Sequence, residues 1–380
     1  MRIGIDYTSA VRQGAGIGRY TRGLVNALAE SDRANEYILF SAGRDQTGRG
    51  WPPNFSLRSL PLQDRHLALI WQRLRLPLPV ELVTGHMDIL HSPDFVLPPV
   101  WRAHTVLTVH DLSFMRYPAC SSTHLLAYLL DAVPRSVRRA EVILADSEST
   151  RQDLIELLHV PGERLFVVYP GVEARFTSGV AESAIEATLG RYGARRPYIL
   201  GLGTLQPRKN FCRLVRAFDL LRRQHHVPHN LVIGGGKGWL YEEIYATARE
   251  LGLQEAVLLP GFVADEDLPA LYSAADLFAF PSLYEGFGLP VLEAMGCGTP
   301  VVTSCVSSLP EVAGDAALLI PPEDVEALAD ALWRLIDDNV LRNDLRSRGF
   351  QQVSRFTWKR AAESLLGIYT RIGQENGGAK

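Results

Sequence analysis

Short apolar runs that alternate with helical patterns constrain the fold of this chain more than any other feature of its sequence. In the first half these runs lie at 2–6, 36–40, 87–91, 105–110 and 141–145. Each run precedes turn residues or a helical pattern, as is typical of a parallel sheet covered by helices. A second series follows at 198–203, 230–234, 256–260, 277–280, 300–303 and 317–320. The sequence therefore predicts an α/β fold with two doubly wound domains.

Chain length and one connector segment set the predicted domain boundaries. The chain has 380 residues, whereas about 100–200 residues is usual for one domain. Residues 173–196 lack a clear strand and contain several glycines, which is typical of a linker. We therefore expect domains at 1–172 and 197–357, and a last helix within 358–380 that can pack on either domain. Ligands of doubly wound sheets bind beyond the C-terminal ends of the strands, which predicts a site in the cleft between the domains.

Composition and charge exclude several classes of function. With 47% hydrophobic and 21% charged residues and a net charge of -3, the chain is neither disordered nor a general nucleic-acid binder. Its four cysteines form no CxxC pair and no Cys/His ligand spacing, so we expect no metal site. No signal-peptide core and no apolar run of the ~20 residues that span a bilayer is present. We therefore expect a cytoplasmic protein, whose contact with the inner membrane would be peripheral.

A glycine-rich loop in the segment 280–303, FPSLYEGFGLPVLEAMGCGTPVVT, carries the most informative chemistry. A predicted strand ends there, and a helix is expected to begin near Leu289, because Pro290 is favoured in a first helical turn. The free amides of that helix start, together with the helix dipole, favour an anion such as a diphosphate. Glu285 and Glu293 can border one pocket and accept hydrogen bonds from hydroxyls of a sugar and a ribose. Spacing alone leaves open that both are ordinary loop and helix charges.

This segment resembles the large family of retaining glycosyltransferases with the GT-B fold, known as family 4 or glycosyl transferases group 1. The family's E-x7-E motif is present as Glu285 and Glu293, and other family blocks recur in the expected order along nearly the whole chain. The resemblance implies two Rossmann-like domains, with an N-terminal domain for the acceptor and a C-terminal domain for a nucleotide-sugar donor. It also implies transfer without a cofactor or metal, with Glu285 as a catalytic residue and Glu293 at the ribose.

The block 201–210, GLGTLQPRKN, implies further donor contacts by the same resemblance. Lys209 matches a family lysine that binds the donor diphosphate, and Arg208 can add a bidentate phosphate contact. Gly203 and Thr204 are assigned to the nucleoside. Many members of the family have arginine where this chain has Thr204, so Arg208 is the expected replacement. Without the resemblance, an Arg-Lys pair is more often a solvated surface feature.

Three more family blocks complete the predicted donor site. The resemblance assigns Gly286, Phe287, Gly288 and Leu289 to the diphosphate, and Phe262 and Val263 to the nucleoside base. The turn at 234–238, GGGKG, resembles a family turn near the nucleotide, although a plain tight turn is an equal alternative.

The first predicted domain contributes a glycine loop and a histidine. The loop GAGIGRY at 14–20 follows the first strand and is weak evidence alone. It resembles the family's GxGxGRY loop, which assigns Gly16, Ile17 and Gly18 to the diphosphate. His110 ends a strand, where a lone histidine is usually structural. The resemblance makes it a catalytic-site residue that binds the donor sugar's 6-hydroxyl through a ring nitrogen, and not a general base.

The motif combination resembles a mannosyltransferase-rich branch of bacterial O-antigen and exopolysaccharide enzymes. GDP-mannose is therefore the first predicted donor, with GDP-rhamnose or UDP-glucose next, and a glycan or lipid-linked glycan is the predicted acceptor. The segment 65–83 mixes arginines with Leu, Ile and Trp. It predicts either a peripheral patch at the inner membrane or a core-packing helix followed by a Pro-rich loop. A nucleotide-sugar epimerase, a phosphorylase and a non-catalytic sugar-binding protein are alternatives from other classes.

Overall fold

Two parallel sheets organise the chain in a computed structural model, which describes residues 1–14, 16–43, 50–60, 62, 66–67 and 69–377. Each sheet belongs to one compact unit. The first unit comprises Met1–Met115, Thr123–Gly171 and Phe356–Lys380, and the second comprises Arg116–Ser122 and Val172–Arg355. The fold class is therefore the predicted one, α/β with two Rossmann-like halves.

The first sheet consists of parallel strands in the order β3-β2-β1-β4-β5-β6-β7. These strands are β1 (Arg2–Asp6), β2 (Glu36–Ala42), β3 (Phe55–Leu60), β4 (Ile89–Ser92), β5 (His104–Val109), β6 (Val142–Ala145) and β7 (Leu165–Val167). The register places Ile3 of β1 opposite Tyr37 on one side and Ile89 on the other. The inner strands are almost wholly buried because helices cover both faces of a parallel sheet.

The second sheet has six parallel strands in the order β10-β9-β8-β11-β12-β13. These strands are β8 (Tyr198–Leu202), β9 (Asn230–Gly234), β10 (Val257–Gly261), β11 (Leu277–Phe280), β12 (Val301–Ser304) and β13 (Ala317–Ile320). Strands β9, β11 and β13 have the predicted bounds. Their apolar runs are continuous and end at turn residues, so the sequence marks both limits.

The α-helices cover the faces of the two sheets. In chain order they are α1 (Thr8–Arg12), α2 (Ile17–Ser31), α3 (Glu81–Thr84), α4 (Ser113–Arg116), α5 (Thr123–Arg139), α6 (Glu148–Leu158), α7 (Glu182–Tyr192), α8 (Phe211–His225), α9 (Glu242–Glu250), α10 (Leu268–Ala274), α11 (Leu289–Gly296), α12 (Leu309–Ala313), α13 (Val325–Asp337), α14 (Asn339–Val353) and α15 (Trp358–Gly377). Within the described ranges, no helix has both the length and the apolar character that crossing a membrane requires.

The segment 173–196, predicted as a linker that lacks a clear strand, carries helix α7 and belongs to the second unit. Asp267 fixes this helix, because its carboxylate accepts hydrogen bonds from Arg191 at 2.6 Å and from the Tyr192 hydroxyl at 2.8 Å. The unit boundary differs at a second place, since residues 116–122 also join the second unit, where the Trp239 indole N–H donates to the Cys120 carbonyl.

Helix α15 packs on the first unit, and residues 378–380 of the predicted segment 358–380 lie outside the described part of the chain. Its first residue, Trp358, occupies space that two glycines leave open, with its ring at one glycine and its backbone at the other. A Cβ on Gly23 would lie 2.3 Å from the Trp358 ring, and one on Gly171 would lie 2.0 Å from the Trp358 amide. Further along the helix, the Tyr369 hydroxyl and His91 Nδ1 are 2.6 Å apart in a buried hydrogen bond. The helix is therefore part of the core of the first unit.

Candidate functional site

Each sheet has one point where the strand order reverses direction, and ligands of open α/β sheets bind beyond the strands there. In the second sheet this point lies between β8 and β11, which are direct neighbours although β9 and β10 lie between them in the chain. The residues that follow these strands are 203–210 and 281–289. The fold therefore brings the two most informative sequence blocks to one edge of one sheet.

Arg208, Lys209 and Glu285 form an ion-pair cluster at this edge. Arg208 donates to Glu285 Oε2 at 2.9 Å, and Lys209 Nζ donates to Glu285 Oε1 at 2.7 Å. All three side chains are less than a fifth exposed. Both carboxylate oxygens thus have a cationic partner, and the cluster carries one excess positive charge in a partly desolvated place.

Burial and the two cations act in opposite directions on the pKa of Glu285. Burial alone would raise the pKa of the carboxyl, but Arg208 and Lys209 lower it to about 2. Glu285 is therefore a carboxylate at every physiological pH, ready to accept hydrogen bonds from hydroxyl groups. The same two cations lie where an incoming anion can share them.

Backbone contacts hold this cluster rigidly in place. The Leu283 amide donates to the Arg208 carbonyl at 2.9 Å, which ties the two loops together. The hydroxyl of Ser308 donates to the carbonyls of Glu285 and Phe287, and the Glu285 amide donates to Ser307 Oγ. These serines follow β12 and had no recognisable signal in the sequence.

Two glycines make room for the lysine. A Cβ on Gly203 would lie 3.2 Å from Cε of Lys209, so glycine lets the lysine side chain pack over this loop. A Cβ on Gly235 would lie 1.9 Å from the Gly203 carbonyl oxygen. The turn at 234–238 is therefore glycine-rich because it crosses the 203–205 backbone closely. This packing alone explains its glycines, as expected for a plain tight turn.

The loop 286–289 leads into helix α11 as the sequence predicts. Gly288 has φ 113°, a conformation that favours glycine, and the helix begins at Leu289 with proline in its first turn. A Cβ on Gly288 would also approach Leu309 Cδ2 to 2.9 Å. Phe287 is buried, so in this loop the backbone, not that ring, is the group that can meet a ligand.

The predicted nucleoside contacts lie in different environments. Glu293 is only 2% exposed and accepts a hydrogen bond from the Tyr272 hydroxyl at 3.1 Å. It is the fifth residue of α11, one turn later than the sequence indicated. Phe262 is 67% exposed, whereas Val263 is buried. Thr204 is exposed at the edge of the sheet. The nucleoside contacts of all four residues stay predictions.

The glycine loop of the first unit lies between α1 and α2. Gly16 precedes α2 with φ 55°, and open space surrounds the position of its missing Cβ. Gly18 is different, because a Cβ there would lie 2.1 Å from the Gln13 carbonyl oxygen. Packing of α1 against α2 therefore requires Gly18, while Gly16 has a conformation that favours glycine at the helix start. Ala15 of this motif lies outside the described residues.

His110 is buried, with both ring nitrogens engaged. Its Nδ1 donates to Asp146 Oδ2 at 2.6 Å, and its Nε2 donates to the Pro93 carbonyl at 2.9 Å. A carbonyl oxygen can only accept, so Nε2 carries a proton, and Nδ1 carries one as well when Asp146 is ionised. Burial alone would lower the pKa of His110, but Asp146 raises it to about 9. His110 is therefore a fixed imidazolium, and the predicted ring contact with a sugar hydroxyl needs one of these bonds to open.

A cavity of about 550 Å³ lies in the first unit at its own reversal point, between β1 and β4. Asp6 is the last residue of β1, and Asp94 follows β4. Burial raises the pKa of Asp94 to about 6, an effect that His110 opposes and Asp6 reinforces. The aromatic residues Trp71, Phe95 and Tyr128 also line the cavity. Neither aspartate was predicted as a site residue, although an acidic residue at the end of a strand was a usable signal.

Comparisons with known proteins agree with this architecture. A sequence model described as Glycosyltransferase Family 4 matches residues 14–176, and one described as Glycosyl transferases group 1 matches residues 191–352. The O-antigen chain mannosyltransferase B of Escherichia coli is 32% identical in an alignment of 370 positions, which covers 93% of this chain and 95% of that protein. The chain is a glycosyltransferase of this family.

Solved structures confirm the GT-B fold of this glycosyltransferase. Sucrose-phosphate synthase from Thermosynechococcus elongatus superimposes with a TM-score of 0.77 at 21% identity, over 99% of this chain and 100% of that one. HepE from Anabaena, crystallised with UDP and glucose, gives a TM-score of 0.73 at 20% identity, over 97% and 99% of the two chains. At such identities these likenesses concern the fold alone.

The charged state of His110 makes the stability of the glycosyltransferase depend on pH. The folded-state pKa lies above the ordinary value of 6.5, so the stabilisation is complete below pH 6.5 and is lost as the pH rises through about 9. Between pH 6.5 and about 9, we expect the free energy of unfolding of wild type to fall by on the order of 3 kcal/mol relative to that of His110→Gln. Calorimetric unfolding at a series of pH values measures it. Parallel curves for the two proteins would contradict a charged His110.

Proposed function

We propose that this glycosyltransferase moves mannose from GDP-mannose onto a glycan or lipid-linked glycan acceptor of a bacterial surface polysaccharide. The observation that carries the proposal is the buried cluster of Arg208, Lys209 and Glu285 at the reversal point of the second sheet. Cations suit a diphosphate, and a carboxylate suits the hydroxyls of a hexose. The choice of mannose rests on the O-antigen mannosyltransferase relative, and the choice of guanine rests on the sequence motifs.

The negative charge that develops on the departing nucleoside diphosphate has to be stabilised by the second unit, which binds the donor in our proposal. Arg208 and Lys209 stabilise this charge, and the amides at the start of α11 add a helix dipole. In our proposal these groups take the part that a divalent cation plays elsewhere, so transfer needs no metal. As phosphate oxygens engage the two cations, Glu285 is released to bind hydroxyls of the hexose.

We propose that the reaction retains the anomeric configuration. The bond from the anomeric carbon to the phosphate oxygen breaks while the bond to the acceptor oxygen forms on the same face. The acceptor proton passes to the leaving phosphate. His110 is not a base in this scheme, because both of its nitrogens already carry protons. Its charge instead fixes the strand end and the Pro93 loop.

The first-unit cavity is the proposed acceptor site. A pyranose presents hydroxyls at its rim and an apolar face of C–H groups, and the cavity offers matching walls. Asp6 and Asp94 can accept hydrogen bonds from the hydroxyls, while the Trp71 and Tyr128 rings can cover the apolar face. Its volume of about 550 Å³ is large enough for one or two sugar rings.

The acceptor role of Asp94 predicts a selective kinetic defect. Asp94→Asn should raise KM for the acceptor by roughly tenfold or more, because a hydrogen bond to a charged group contributes about 1.5–3 kcal/mol. GDP affinity should stay the same. Initial rates over a range of acceptor concentrations measure this, with the exposed Asp330→Asn in the second unit as the matched control. An unchanged acceptor KM in Asp94→Asn would remove Asp94 from the site.

A donor comparison tests the proposed reaction itself. Purified protein is incubated with a mannose-terminated oligosaccharide and with GDP-mannose, GDP-rhamnose or UDP-glucose, in the presence of a chelator. We expect a product longer by one hexose from GDP-mannose alone, with an α-linkage in its proton NMR spectrum. Transfer from UDP-glucose instead would contradict the donor assignment, a β-linkage would contradict retention, and dependence on added metal would contradict the charge scheme.

A further inference from the structure

A second cavity lies in the second unit, at the edge of the sheet opposite to the donor loops 203–210 and 281–289. Its volume is about 360 Å³, within the roughly 300–1,000 Å³ that is usual for small-molecule sites. Helices α7, α10 and α14 contribute to its walls, together with residues just before β8 and β11, the strands whose other ends carry the donor loops. We call it the α14 cavity and define it by its polar lining residues, which are Glu182, Arg196, Ser273, Asp276, Arg342 and Arg346.

The carboxylates of the α14 cavity already have partners. Glu182 accepts a hydrogen bond from Arg196 at 2.7 Å, and Asp276 accepts one from the Tyr198 amide at 2.9 Å. Each carboxylate still has lone pairs for further hydrogen bonds, because its two oxygens offer about four acceptor positions. Since three arginines and two carboxylates line the cavity, the lining carries one excess positive charge.

Two arginines of α14 supply the uncompensated charge. Arg342 and Arg346 are four residues apart, so their side chains are neighbours on one face of the helix. Arg342 donates to the carbonyls of Leu335 at 3.0 Å and Ile336 at 2.9 Å, and Arg346 Nε donates to the Gly298 carbonyl at 2.8 Å. All of these acceptors are neutral. Among the residues that the structure describes, neither arginine forms an ion pair.

The phosphate monoester of a sugar matches these groups. Two guanidinium groups on adjacent helical turns can hold phosphate oxygens through charge-assisted, bidentate hydrogen bonds. Sugar hydroxyls can donate to Glu182 and Asp276 on the other side of the same cavity. Inorganic phosphate would meet the arginines but leave the carboxylates unused.

Arg346 also connects the α14 cavity to α11, the helix that follows the donor loop 281–289. The Gly298 carbonyl that accepts from Arg346 lies in the turn that closes α11, where the Thr299 amide donates to the Ala294 carbonyl at 2.9 Å. A cation at a helix C-terminus stabilises the helix dipole. Arg346 therefore supports the helix whose first turn is proposed to bind the diphosphate.

Tyr272 makes a second connection between the cavity and the same helix. It precedes Ser273 in α10, and its hydroxyl donates to Glu293 of α11 at 3.1 Å. Its carbonyl accepts from the Thr299 hydroxyl at 2.7 Å. A ligand that shifts the end of α10 thus acts on α11 as well.

We propose that the α14 cavity binds a sugar phosphate and that this ligand weakens nucleotide binding at the donor loops. Two arrangements of Arg346 explain the coupling. Without the ligand its guanidinium bonds to the Gly298 carbonyl, as in the structure, and with the ligand it bonds to the phosphate. Binding therefore replaces a cation at the end of α11 by an anion, which is unfavourable at a helix C-terminus. The coupling rests on the proposed function in one respect, which is that the donor loops bind GDP.

Calorimetric titration with mannose 6-phosphate and with inorganic phosphate tests the site itself. We expect mannose 6-phosphate to bind with one site per chain. Inorganic phosphate should bind at least fivefold more weakly, because it lacks the sugar hydroxyls that reach the carboxylates. Equal affinity for the two would overturn the assignment to a sugar phosphate, and binding of neither would overturn the site.

Matched variants of α14 locate the bound ligand. Arg346→Gln should weaken binding of mannose 6-phosphate at least tenfold, because a charge-assisted contact with the phosphate is lost. Arg346 is exposed, so the variant should fold, which calorimetric unfolding checks. Arg348→Gln is the control and should bind like wild type, because Arg348 lies outside the cavity lining and pairs with Asp344 at 2.6 Å. Wild-type affinity in Arg346→Gln, or an equal loss in Arg348→Gln, would contradict the location.

Titration with GDP at increasing concentrations of mannose 6-phosphate measures the coupling. In wild type the Kd for GDP should rise about fivefold and then level off, which is at the low end of usual coupling between two sites. In Arg346→Gln the Kd should not rise. An unlimited rise in wild type would show direct competition at the donor loops, and an unchanged Kd would show that the sites are not coupled. Either result would overturn the inference.

One further variant separates this inference from the proposed function. Lys209→Met lacks a cation of the donor loops and should still bind mannose 6-phosphate like wild type. Loss of that binding would place the ligand at the donor loops and overturn the inference. If wild type binds mannose 6-phosphate through Arg346 but does not bind GDP, the proposed function is wrong and the α14 cavity stands as a binding site.

Discussion

Glu285→Gln is expected to reduce transfer at least a hundredfold while the protein remains folded. In the structure Glu285 holds two cations, and in the proposed reaction it exchanges them for hexose hydroxyls. Two hydrogen bonds to a charged group contribute about 1.5–3 kcal/mol each, so their loss accounts for this factor. Glutamine is used because it keeps the volume and one oxygen acceptor for Lys209. Initial rates with GDP-mannose measure the effect, and calorimetric unfolding checks the fold.

Glu255→Gln is the matched control, because Glu255 is an exposed glutamate in the same unit. It should be fully active. Glu285→Ala should be at least as inactive as Glu285→Gln and less stable, because it leaves two largely buried cations without their carboxylate. Full activity in a folded Glu285→Gln protein would remove Glu285 from the reaction.

Lys209→Met is expected to weaken GDP binding by roughly tenfold to a hundredfold. Methionine keeps the packing against Gly203 and Phe280 but removes the charge that faces the diphosphate. It also removes one of the two cations that lower the pKa of Glu285, so that pKa should rise towards its ordinary value of 4.5. The acid limb of the activity profile should therefore move to higher pH.

Calorimetric titration with GDP and a pH series of initial rates measure the two effects. Lys359→Met is the control, because Lys359 is an exposed lysine of the first unit. If Lys209→Met binds GDP as tightly as wild type, the phosphate role of Lys209 is wrong. If the pH profile of Lys209→Met is the same as that of wild type, the ion pair with Lys209 does not set the pKa of Glu285 in the active enzyme.

The sequence predicted strands and the donor loops well where local patterns determine them. The 277–280 strand, the Gly288 turn and the helix start at Leu289 follow from a continuous apolar run, a glycine and a proline in order. Strands β3 and β7 were missed for physical reasons. The first is a half-exposed edge strand in which polar residues separate the three apolar ones, and the second has three residues.

Long-range partners could not be predicted from the sequence. Asp146 lies 36 residues from His110, and only the pairing of β5 with β6 brings them together and makes the histidine a cation. Ser308 supports the Glu285 loop across 23 residues in the same way. The cavity around Asp6 and Asp94 depends on which strands are neighbours, and the sheet order had no local signal.

Calorimetric titration of purified wild-type protein with GDP, UDP and ADP in the presence of a chelator tests the central claim most directly. If the cluster of Arg208, Lys209 and Glu285 holds a guanosine diphosphate without metal, GDP binds with one site per chain and UDP and ADP bind far more weakly. Binding of none of the three nucleotides under these conditions would contradict the account.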